Sequence, residues 1–510
     1  MPRYAAVDIG SNSLRFQVAE MSAGRPMQVL AAERMVTRLG ESVFRTGAVS
    51  AEAMAMICGE LAKAAEVKRR FDVLASRAVA TAAIRDASNQ HVFLERASEA
   101  FGEPVEVISG QEEARLIYLG VQARWPHPRQ RILIMDLGGG SSEVILAENG
   151  RLLEAVSKPI GAVRLTDAFL KNDPPTPLEL HQLDEFIHEK IAAIAARIDP
   201  GKVDRVIATS ASAAAIVCAI NRVDREHRET ADRLRATTAQ VRKFYREISA
   251  MDLAARRKVN GIGPRRAEII VAGTAVYLRL LERFQLPSMY YTLAGLRDGI
   301  IADLFVRGAG RDLARLSREQ RRACEQLARK YAAPLAHVRK VAQLAQSLFE
   351  QLQSVHQLPP WHGKMLEAAA LLHDVGHYVS DTAHHKHSHY LVAHSDLPGF
   401  TDAERAIIAA LCRYHRKSMP RPSHDTLSPL SAETRRAVLS LIPILRLADS
   451  LDRGHNQDVD GVVCDTRNSR IVIALQSSRD TDLEQWAAER AAPLFREIYN
   501  REVAVVRSRG

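Results

Sequence analysis

The sequence feature that most constrains the fold is an apolar strand that reverses through a tip of small residues, and the chain contains it twice. In the first copy, residues 4–7 form the strand, residues 8–13 the tip and residues 14–19 the return strand. In the second copy, residues 131–143 contain the strand and the tip, and residues 144–147 form the return strand. A repeat this widely spaced does not fit a solenoid, whose units are roughly 20–50 residues long. It predicts two similar α/β domains, each presenting a hairpin to one ligand between them.

The tips of both hairpins have the composition of phosphate-binding loops. Glycine lets the backbone approach a ligand closely, and successive backbone N–H groups form an anion-binding nest. Asp136 and Glu143 flank the second tip, and two carboxylates beside a phosphate nest suit Mg²⁺. A glycine-rich hairpin with acidic caps is the alternative, and the repeat favours phosphate binding. The predicted phosphate-binding residues are Ser11, Asn12, Ser13, Gly138, Gly139, Gly140 and Ser141.

A pair of glutamates lies between the two hairpins, at the start of a predicted helix. Ser109 and Glu112 have the spacing of a capping box, which gives Glu112 a structural role. Capping does not account for Glu113, so this carboxylate is a candidate base for a water that attacks phosphorus. A favourable charge in the first helical turn is the alternative explanation. Arg85 follows a strand and a small-residue turn, which makes it either a phosphate contact or a solvated helix arginine.

The charge of the chain favours an anionic partner. The net charge is +10, which suits a phosphate polymer, a nucleic acid or a membrane surface. Residues 233–266 contain ten basic residues against two acidic ones and end in Arg266, a candidate substrate contact. A solvated basic face is the alternative. The cysteines lack CxxC spacing, no signal peptide is evident and no apolar run reaches the ~20 residues that span a bilayer. We therefore expect a cytoplasmic protein without a membrane span.

A third region, residues 312–451, has helical periodicity and no convincing strand. It contains the adjacent pair His373 and Asp374, with His337 on an earlier helix and Asp449 on a later one. Such mixed nitrogen and oxygen donors suit a divalent metal, although a lone helical histidine is more often a core residue. The remaining residues predict a small α+β tail.

The motifs at residues 8–13, 109–114, 136–143 and 295–299, in this order, resemble the exopolyphosphatase / guanosine pentaphosphate phosphohydrolase family. The resemblance covers roughly residues 1–303. It implies an α/β fold with two ribonuclease-H-like domains of the actin/sugar-kinase superfamily. An all-α HD-like domain and a small α+β C-terminal domain are expected to follow. The predicted domain boundaries are 1–124, 125–306, 307–455 and 456–510.

The resemblance also implies roles for individual residues. Glu113 corresponds to the catalytic base of the family, and Asp136 and Glu143 to its Mg²⁺ ligands. The two hairpin tips correspond to its phosphate-binding loops, and Arg85 to a phosphate-contacting arginine. A second divalent metal is implied in the helical domain, where the HD pattern is matched by His337, His373, Asp374 and Asp449.

The activity implied by the resemblance is that of a Mg²⁺-dependent exopolyphosphatase, which releases the terminal phosphate of inorganic polyphosphate. The basic stretch suits processive action on a long polyanion. The alternative is a guanosine pentaphosphate (pppGpp) 5′-phosphohydrolase, which Ala211 slightly disfavours because relatives often have glycine there. A kinase of the same superfamily and a non-catalytic sensor are further alternatives, but the glycine-rich adenosine loop of a kinase is not evident. We expect a homodimer and no DNA partner.

Overall fold

The computed structural model of the protein describes residues 1–309, 315–417, 419–421, 425–427, 430–467 and 470–507. The chain divides into two units, Met1–Ala309 and Gly310–Gly510, each with its own internal packing. The mixed α/β class predicted from the sequence is confirmed.

The first unit begins with a five-stranded sheet in the order β3-β2-β1-β4-β5. Strands β1, β2 and β3 pair antiparallel, whereas β4 lies parallel to both β1 and β5. The strands are β1 (Arg3–Ile9), β2 (Ser13–Glu20), β3 (Gln28–Val36), β4 (Ala75–Ala80) and β5 (Val105–Val107). The accompanying helices are α1 (Leu39–Thr46), α2 (Ala51–Arg70), α3 (Ala82–Asp86), α4 (Gln90–Phe101) and α5 (Gly110–Arg124).

A second sheet in the same unit has six strands in the order β10-β11-β9-β6-β7-β8. Its strands are β6 (Arg131–Leu137), β7 (Ser142–Glu148), β8 (Arg151–Lys158), β9 (Arg205–Thr209), β10 (Arg235–Thr237) and β11 (Ser288–Tyr291). From β8 to β11 the order and the strand directions repeat those of the first sheet, with two antiparallel pairs followed by two parallel pairs. The internal repeat seen in the sequence is therefore a repeat of topology.

The helices that accompany the second sheet include the two that frame the candidate site, α8 and α12. Helix α8 begins directly after β9, so its N-terminus lies at the carboxyl end of a central strand. The helices are α6 (Ala162–Phe169), α7 (Pro177–Ala195), α8 (Ser210–Asn221), α9 (Thr238–Ser249), α10 (Leu253–Arg256), α11 (Ile270–Arg283) and α12 (Leu296–Ala309), with a 3₁₀ segment at Arg225–Ala231.

The second unit is mainly helical. Its described helices are α13 (Arg318–Lys330), α14 (Leu335–Gln351), α15 (Gln353–His356), α16 (His362–Leu372), α17 (His384–Ala393), α18 (Asp402–Tyr414), α19 (Ala432–Ser450), α20 (Asp482–Ala491) and α21 (Pro493–Tyr499). Short 3₁₀ segments lie at Val375–Tyr378 and Asp425–Leu427.

The described strands of the second unit form a sheet in the order β12-β13-β14, built from β12 (Gly461–Asp465), β13 (Arg470–Gln476) and β14 (Glu502–Arg507). Residues of this sheet and of the helices, such as Ile473 and Leu371, belong to one buried apolar cluster. The predicted division into an HD-like domain and a separate α+β domain stays a prediction. None of the described helices combines the length and the apolar composition that crossing a bilayer requires.

Candidate active site

The two hairpin tips are built alike and line the same cleft, whose volume is about 290 Å³. In the β1–β2 tip the N–H of Gly10 donates to the carbonyl of Ser13 at 3.1 Å. In the β6–β7 tip the N–H of Gly138 donates to the carbonyl of Ser141 at 3.0 Å. The predicted phosphate-binding residues of both tips all line the cleft. The structure thus brings together two segments that are far apart in sequence.

Gly140 has a packing role in addition to its place in the cleft. A Cβ atom at this position would lie 2.7 Å from the hydroxyl of Ser11 and 2.8 Å from both Ala82 and Phe44. Its carbonyl accepts a hydrogen bond from the N–H of Gly161 at 3.2 Å. The absence of a side chain therefore allows the second hairpin to contact the first one closely.

Four carboxylates come together beneath the tips. Asp136 and Glu143 are direct cross-strand partners on β6 and β7, and Asp8 occupies the equivalent position on β1. Glu113 of α5 faces them and lines the cleft. Burial and then mutual repulsion raise the pKa of Asp136 to about 7, and the same causes raise the pKa of Glu143 well above its usual range. Four carboxylates buried close together require a nearby positive charge to be ionised at the same time.

The carboxylates fit a divalent cation with oxygen ligands. Glu143 is fully buried, and its Oε1 accepts a hydrogen bond from the hydroxyl of Ser157 at 2.7 Å. Its Oε2 has no hydrogen-bond partner among the described residues. A buried carboxylate oxygen without a donor, beside a second carboxylate, is a suitable ligand for Mg²⁺. The role of Asp136 and Glu143 as metal ligands stays a prediction.

The two neighbouring glutamates of α5 point to different partners. The hydroxyl of Ser109 accepts from the N–H of Glu112 at 3.2 Å, as the capping-box spacing predicts. The Glu112 side chain accepts hydrogen bonds from the buried guanidinium groups of Arg115 and Arg77. Glu113 instead faces the cleft, and burial raises its pKa. The structural role of Glu112 is larger than the sequence predicted, because it is ion-paired inside the unit.

Arg85 contacts the candidate base. Its Nη1 donates to the carboxylate of Glu113 at 3.0 Å and to the carbonyl of Ile108 at 2.7 Å. This arginine opposes the effect of burial on Glu113, because a positive neighbour lowers the pKa of a carboxyl. Arg85 is not among the described residues that line the cleft. Its predicted contact with phosphate stays a prediction.

A group of arginines surrounds the mouth of the cleft. Arg15 and Arg34 are direct cross-strand neighbours on β2 and β3, a like-charge pairing that destabilises a sheet by itself. Burial and the nearby Arg34 and Arg15 lower the pKa of Arg266 to about 9. Partial burial and Arg15 lower the pKa of Arg297 to about 10. We call the set the arginine group; its members are Arg15, Arg34, Arg228, Arg266 and Arg297, all on the cleft lining.

Part of the positive charge of the arginine group is not neutralised by ion pairs. Among the ion pairs of the described residues, none joins Arg15, Arg34 or Arg228 to a carboxylate within 4.0 Å. Arginines that repel one another around a cleft are stabilised by a polyanion that binds among them. Sequence reasoning had found only Arg266 of this group as a substrate contact. The β2–β3 register that pairs Arg15 with Arg34 has no local sequence signal.

The basic stretch at residues 233–266 divides between two roles. Several members form surface ion pairs, including Arg242 with Glu282 at 2.9 Å and Arg257 with Glu268 at 3.3 Å. Arg265 and Arg266, at its end, line a second cavity of about 460 Å³. This cavity shares Arg34, Arg228 and Arg266 with the first one. Much of the stretch is therefore a solvated face, and its end belongs to the site.

The segment that departs from the family pattern lies at the N-terminus of α8. Ser210 and Ala211 line the cleft, and the hydroxyl of Ser210 accepts from the N–H of Ser212 at 3.2 Å. Ser210 has φ of 95°, a left-handed conformation that is rare without glycine. A helix N-terminus that opens on a cleft favours an anionic group.

In the second unit, the structure brings the predicted His/Asp set together. The Nε2 atom of His337 lies 3.4 Å from Oδ1 of Asp449 and 3.7 Å from Oδ2 of Asp374. The Nε2 atom of His373 lies 3.3 Å and 3.6 Å from the same two oxygens. Ligand atoms of His337, His373 and Asp374 all lie within 4.8 Å of one another, as a metal site requires. That they hold a metal stays a prediction.

Comparison with known families gives two matches along the chain. The model of the Ppx/GppA phosphatase family matches residues 17–307. The model of Ppx/GppA phosphatase, domain III, matches residues 320–489. The first match alone covers more than half of the chain. It begins within β2, so it contains the whole second hairpin but only the end of the return strand of the first.

Similar curated proteins and solved structures agree with these matches. A guanosine-5′-triphosphate,3′-diphosphate pyrophosphatase of Photobacterium profundum is 28% identical and covers 89% of this chain and 88% of its own length. The protein of the same name from Vibrio campbellii is 27% identical over 91% of this chain and 89% of its own length.

Among solved structures, an Aquifex aeolicus member of the Ppx/GppA protein family has a TM-score of 0.54 and 28% identity. It covers 61% of this chain and 99% of its own. An exopolyphosphatase-like protein has a TM-score of 0.57 and 28% identity, with 61% and 99% coverage.

Proposed function

Because this chain belongs to the Ppx/GppA phosphatase family, and is thus a phosphoanhydride hydrolase, we propose that it removes the terminal phosphate of guanosine-5′-triphosphate,3′-diphosphate. The observation that carries the proposal is the arginine group, which connects two adjoining cavities beside the hairpin tips. The names of the two curated relatives, which match along about nine tenths of the chain, support the same substrate. The sequence had favoured inorganic polyphosphate first, and the comparisons support the alternative better.

The two cavities suit a ligand with two phosphate-bearing arms. The cavity of about 290 Å³ contains the hairpin tips and Glu113. The adjoining cavity of about 460 Å³ contains Arg225 and Arg265 and no hairpin carboxylate. We infer that the 5′-triphosphate binds in the first cavity and the 3′-diphosphate against the second. Arg34, Arg228 and Arg266 lie on both linings, where they contact either arm.

The reaction assigned to the cleft is hydrolysis of the outermost P–O–P bond. A water oxygen attacks the terminal phosphorus while Glu113 accepts a proton from that water. The bridging P–O bond breaks, and its electrons remain on the departing diphosphate oxygen. The N–H groups of the hairpin tips and the arginine group stabilise the negative charge on the phosphoryl oxygens. The raised pKa of Glu113 makes its carboxylate a stronger base than a solvated one.

A divalent cation, which we propose to be Mg²⁺, would be held by Asp136 and Glu143. When bound, it would neutralise the charge of the phosphate oxygens and of the carboxylates around it. Oxygen-only ligands distinguish this place from the histidine-containing set of the second unit.

Replacing Glu113 by glutamine tests the assignment of the base. Glutamine has the same shape but cannot accept the proton, so we expect kcat to fall about 10³-fold with a small change in KM. Phosphate release from guanosine-5′-triphosphate,3′-diphosphate measures the effect. Glu95→Gln, an exposed glutamate on α4, is the matched control and should behave as the wild type. Unchanged phosphate release in Glu113→Gln contradicts the mechanism.

A substrate panel tests the identity of the leaving group. We expect a higher kcat/KM for guanosine-5′-triphosphate,3′-diphosphate than for GTP, because GTP lacks the arm that contacts the second cavity. Arg265→Ala should raise KM for the doubly phosphorylated nucleotide and leave KM for GTP nearly unchanged. Equal kcat/KM values for the two nucleotides would refute the two-arm assignment.

Inorganic polyphosphate is the second candidate substrate, because the arginine group continues from one cavity into the other. A chain of phosphates that follows these arginines stays bound after each cleavage, which is the condition for processive action. Polyphosphate therefore belongs in the same panel, and a kcat/KM above that of the nucleotide would make it the principal substrate.

We also propose that the protein is a homodimer in the cytoplasm. Light scattering tests the dimer.

A further inference from the structure

The tip of the second hairpin is held from behind by the start of helix α6. The N–H groups of residues 161–163 donate to the carbonyls of residues 138–140, at distances of 2.9–3.2 Å. A Cβ atom on Gly161 would lie 2.4 Å from the backbone of Gly139 and Gly140, so only glycine allows this contact. All three carbonyls of the glycine tip are therefore directed toward α6.

This orientation of the carbonyls also fixes where the N–H groups of the tip point. Within one trans peptide plane, the C=O and the N–H point in opposite directions. The N–H groups of Gly139, Gly140 and Ser141 therefore point away from α6, and these residues line the cleft. Among the hydrogen bonds of the described residues, none has one of these three N–H groups as its donor. Helix α6 thus leaves three backbone donors free for an anion.

The tip of the first hairpin is held in the same way by the start of helix α1. The N–H of Gly40 donates to the carbonyl of Ser11 at 2.6 Å, and the N–H of Thr37 donates to the carbonyl of Asn12 at 3.2 Å. Helix α1 follows β3 as α6 follows β8, so the two helices are equivalent elements of the repeat. Each tip is supported by the helix of its own half of the repeat.

One side chain of α6, that of Arg164, links the two supports. Its Nε donates to the carbonyl of Gly140 at 3.0 Å, and its Nη2 donates to the carboxylate of Asp86 on α3 at 2.5 Å. Its guanidinium carbon lies 4.0 Å from the centre of the Phe44 ring on α1. Phe44 packs against the apolar clusters of both sheets. Arg164 thus contacts the second tip and the helix that supports the first.

The contact with Asp86 also connects Arg164 to the candidate base. Asp86 directly follows Arg85, whose Nη1 donates to the carboxylate of Glu113 at 3.0 Å. A guanidinium group has several donors in a rigid fork and can hold two acceptors at once, whereas an ammonium group is a single point of charge. Arginine is therefore the side chain that can hold both Gly140 and Asp86.

We propose that Arg164 is a positioning residue for hydrolysis, which keeps the two tips and Glu113 at fixed distances from one another. This role rests on the proposed function, since it takes the tips as the site of the terminal phosphate. Arg164 is not among the described residues that line the cleft, so it acts through the groups that it holds. A displacement of about 1 Å near the reacting atoms lowers the rate of an enzyme about 100-fold.

Replacing Arg164 by alanine in the full-length chain tests this role. We expect kcat to fall about 100-fold and KM to change less than about 3-fold, because the arginine group still binds the rest of the substrate. Asp86→Asn keeps the contact with Gly140 and should lower kcat only about 10-fold. Arg164→Lys can hold one acceptor but not both, so its kcat should lie between those of the wild type and Arg164→Ala. Phosphate release is measured with the substrate that the wild type prefers.

Arg45→Ala is the matched control. Arg45 forms an ion pair with Asp167 at 2.8 Å, which joins the same two helices without contacting a tip. Its kcat should equal that of the wild type, and circular dichroism verifies the folding of every variant. Equal losses of kcat in Arg45→Ala and Arg164→Ala would overturn the role, because they would report helix packing alone. A wild-type kcat in folded Arg164→Ala would also overturn it. If Arg164→Ala does not fold, a wild-type kcat in Arg164→Lys has the same meaning.

Glu113→Gln separates the role of Arg164 from the assignment of the base. A fall of kcat in Glu113→Gln beside a wild-type kcat in Arg164→Ala would overturn only the positioning role. A fall of kcat in Arg164→Ala beside unchanged release in Glu113→Gln would contradict the base and still support the link between the tips.

Discussion

At the scale of single residues, the candidate cleft contains two groups of like charges, carboxylates beneath the hairpin tips and arginines at its mouth. Asp136 and Glu143 repel each other beneath the hairpin tips, while Arg15 and Arg34 repel each other at the mouth. A cation bound beneath the hairpin tips and a polyanion bound at the mouth would offset these two repulsions. Such sites hold strain in the free protein that substrate binding removes, so the same charges serve recognition and chemistry.

Arg85 sets the pH range in which Glu113 is ionised. Burial raises the pKa of Glu113, and the nearby guanidinium opposes that rise. In Arg85→Ala the opposing charge is lost, so the pKa of Glu113 rises further. Because a base acts only when ionised, the acidic limb of the kcat/KM profile should move to higher pH.

The pH profile of phosphate release measures the shift, with Arg96→Ala on α4 as the control. A higher KM with an unmoved acidic limb would contradict the role of Arg85 as partner of the base. That result would instead support the phosphate contact predicted from the sequence.

At the scale of elements, glycines allow the backbones around the site to approach closely. Helices α5 and α12 meet where Gly120 and Gly299 face each other's backbone. Helix α5 begins at Gly110, after its N-cap Ser109, and holds Glu113 in its first turn. The contact with α12 therefore fixes the helix that positions the base.

Gly299→Ala should destabilise the first unit by about 3 kcal/mol, because the new methyl group would overlap the carbonyl oxygen of Leu116. The matched control is Gly59→Ala on α2, where an added Cβ meets nothing within 4 Å. It should stabilise by about 0.5–1 kcal/mol, since glycine disfavours a helix interior. Urea denaturation followed by circular dichroism compares the two variants. Equal effects would show that α5 and α12 do not pack through their backbones.

At the scale of the whole molecule, the chemistry divides between units that have separate cores. Glu113, the hairpin carboxylates and the arginine group all lie in Met1–Ala309. The Aquifex aeolicus structure covers 61% of this chain and 99% of its own, so a relative consists of little more than the corresponding part. We therefore expect the proposed hydrolytic site to be complete within the first unit.

A fragment of residues 1–309 should fold and keep kcat/KM within about 10-fold of the full chain, measured with the substrate that the full chain prefers. Gel filtration and circular dichroism establish that the fragment is folded. A folded but inactive fragment would show that the second unit contributes residues to the hydrolytic site.

Some features follow from the sequence because their signals are local. The two hairpins were predicted from apolar runs and small-residue tips, and the structure has them as β1–β2 and β6–β7. Strand β3 was not predicted because it is largely exposed and has no apolar alternation. The pairing of His373 with Asp374 was likewise visible, since the two residues are adjacent.

The repeated hairpin, the family resemblance and the candidate base can be read from the chain alone, because backbone periodicity and turn composition depend on near neighbours. Which side chains meet depends on how the elements pack in three dimensions. The β2–β3 register places Arg15 beside Arg34, and helix packing places His384 and His415 beside Asp374. These contacts join residues that have no fixed spacing in the chain, since sheet register and helix packing are set by burial of the whole core.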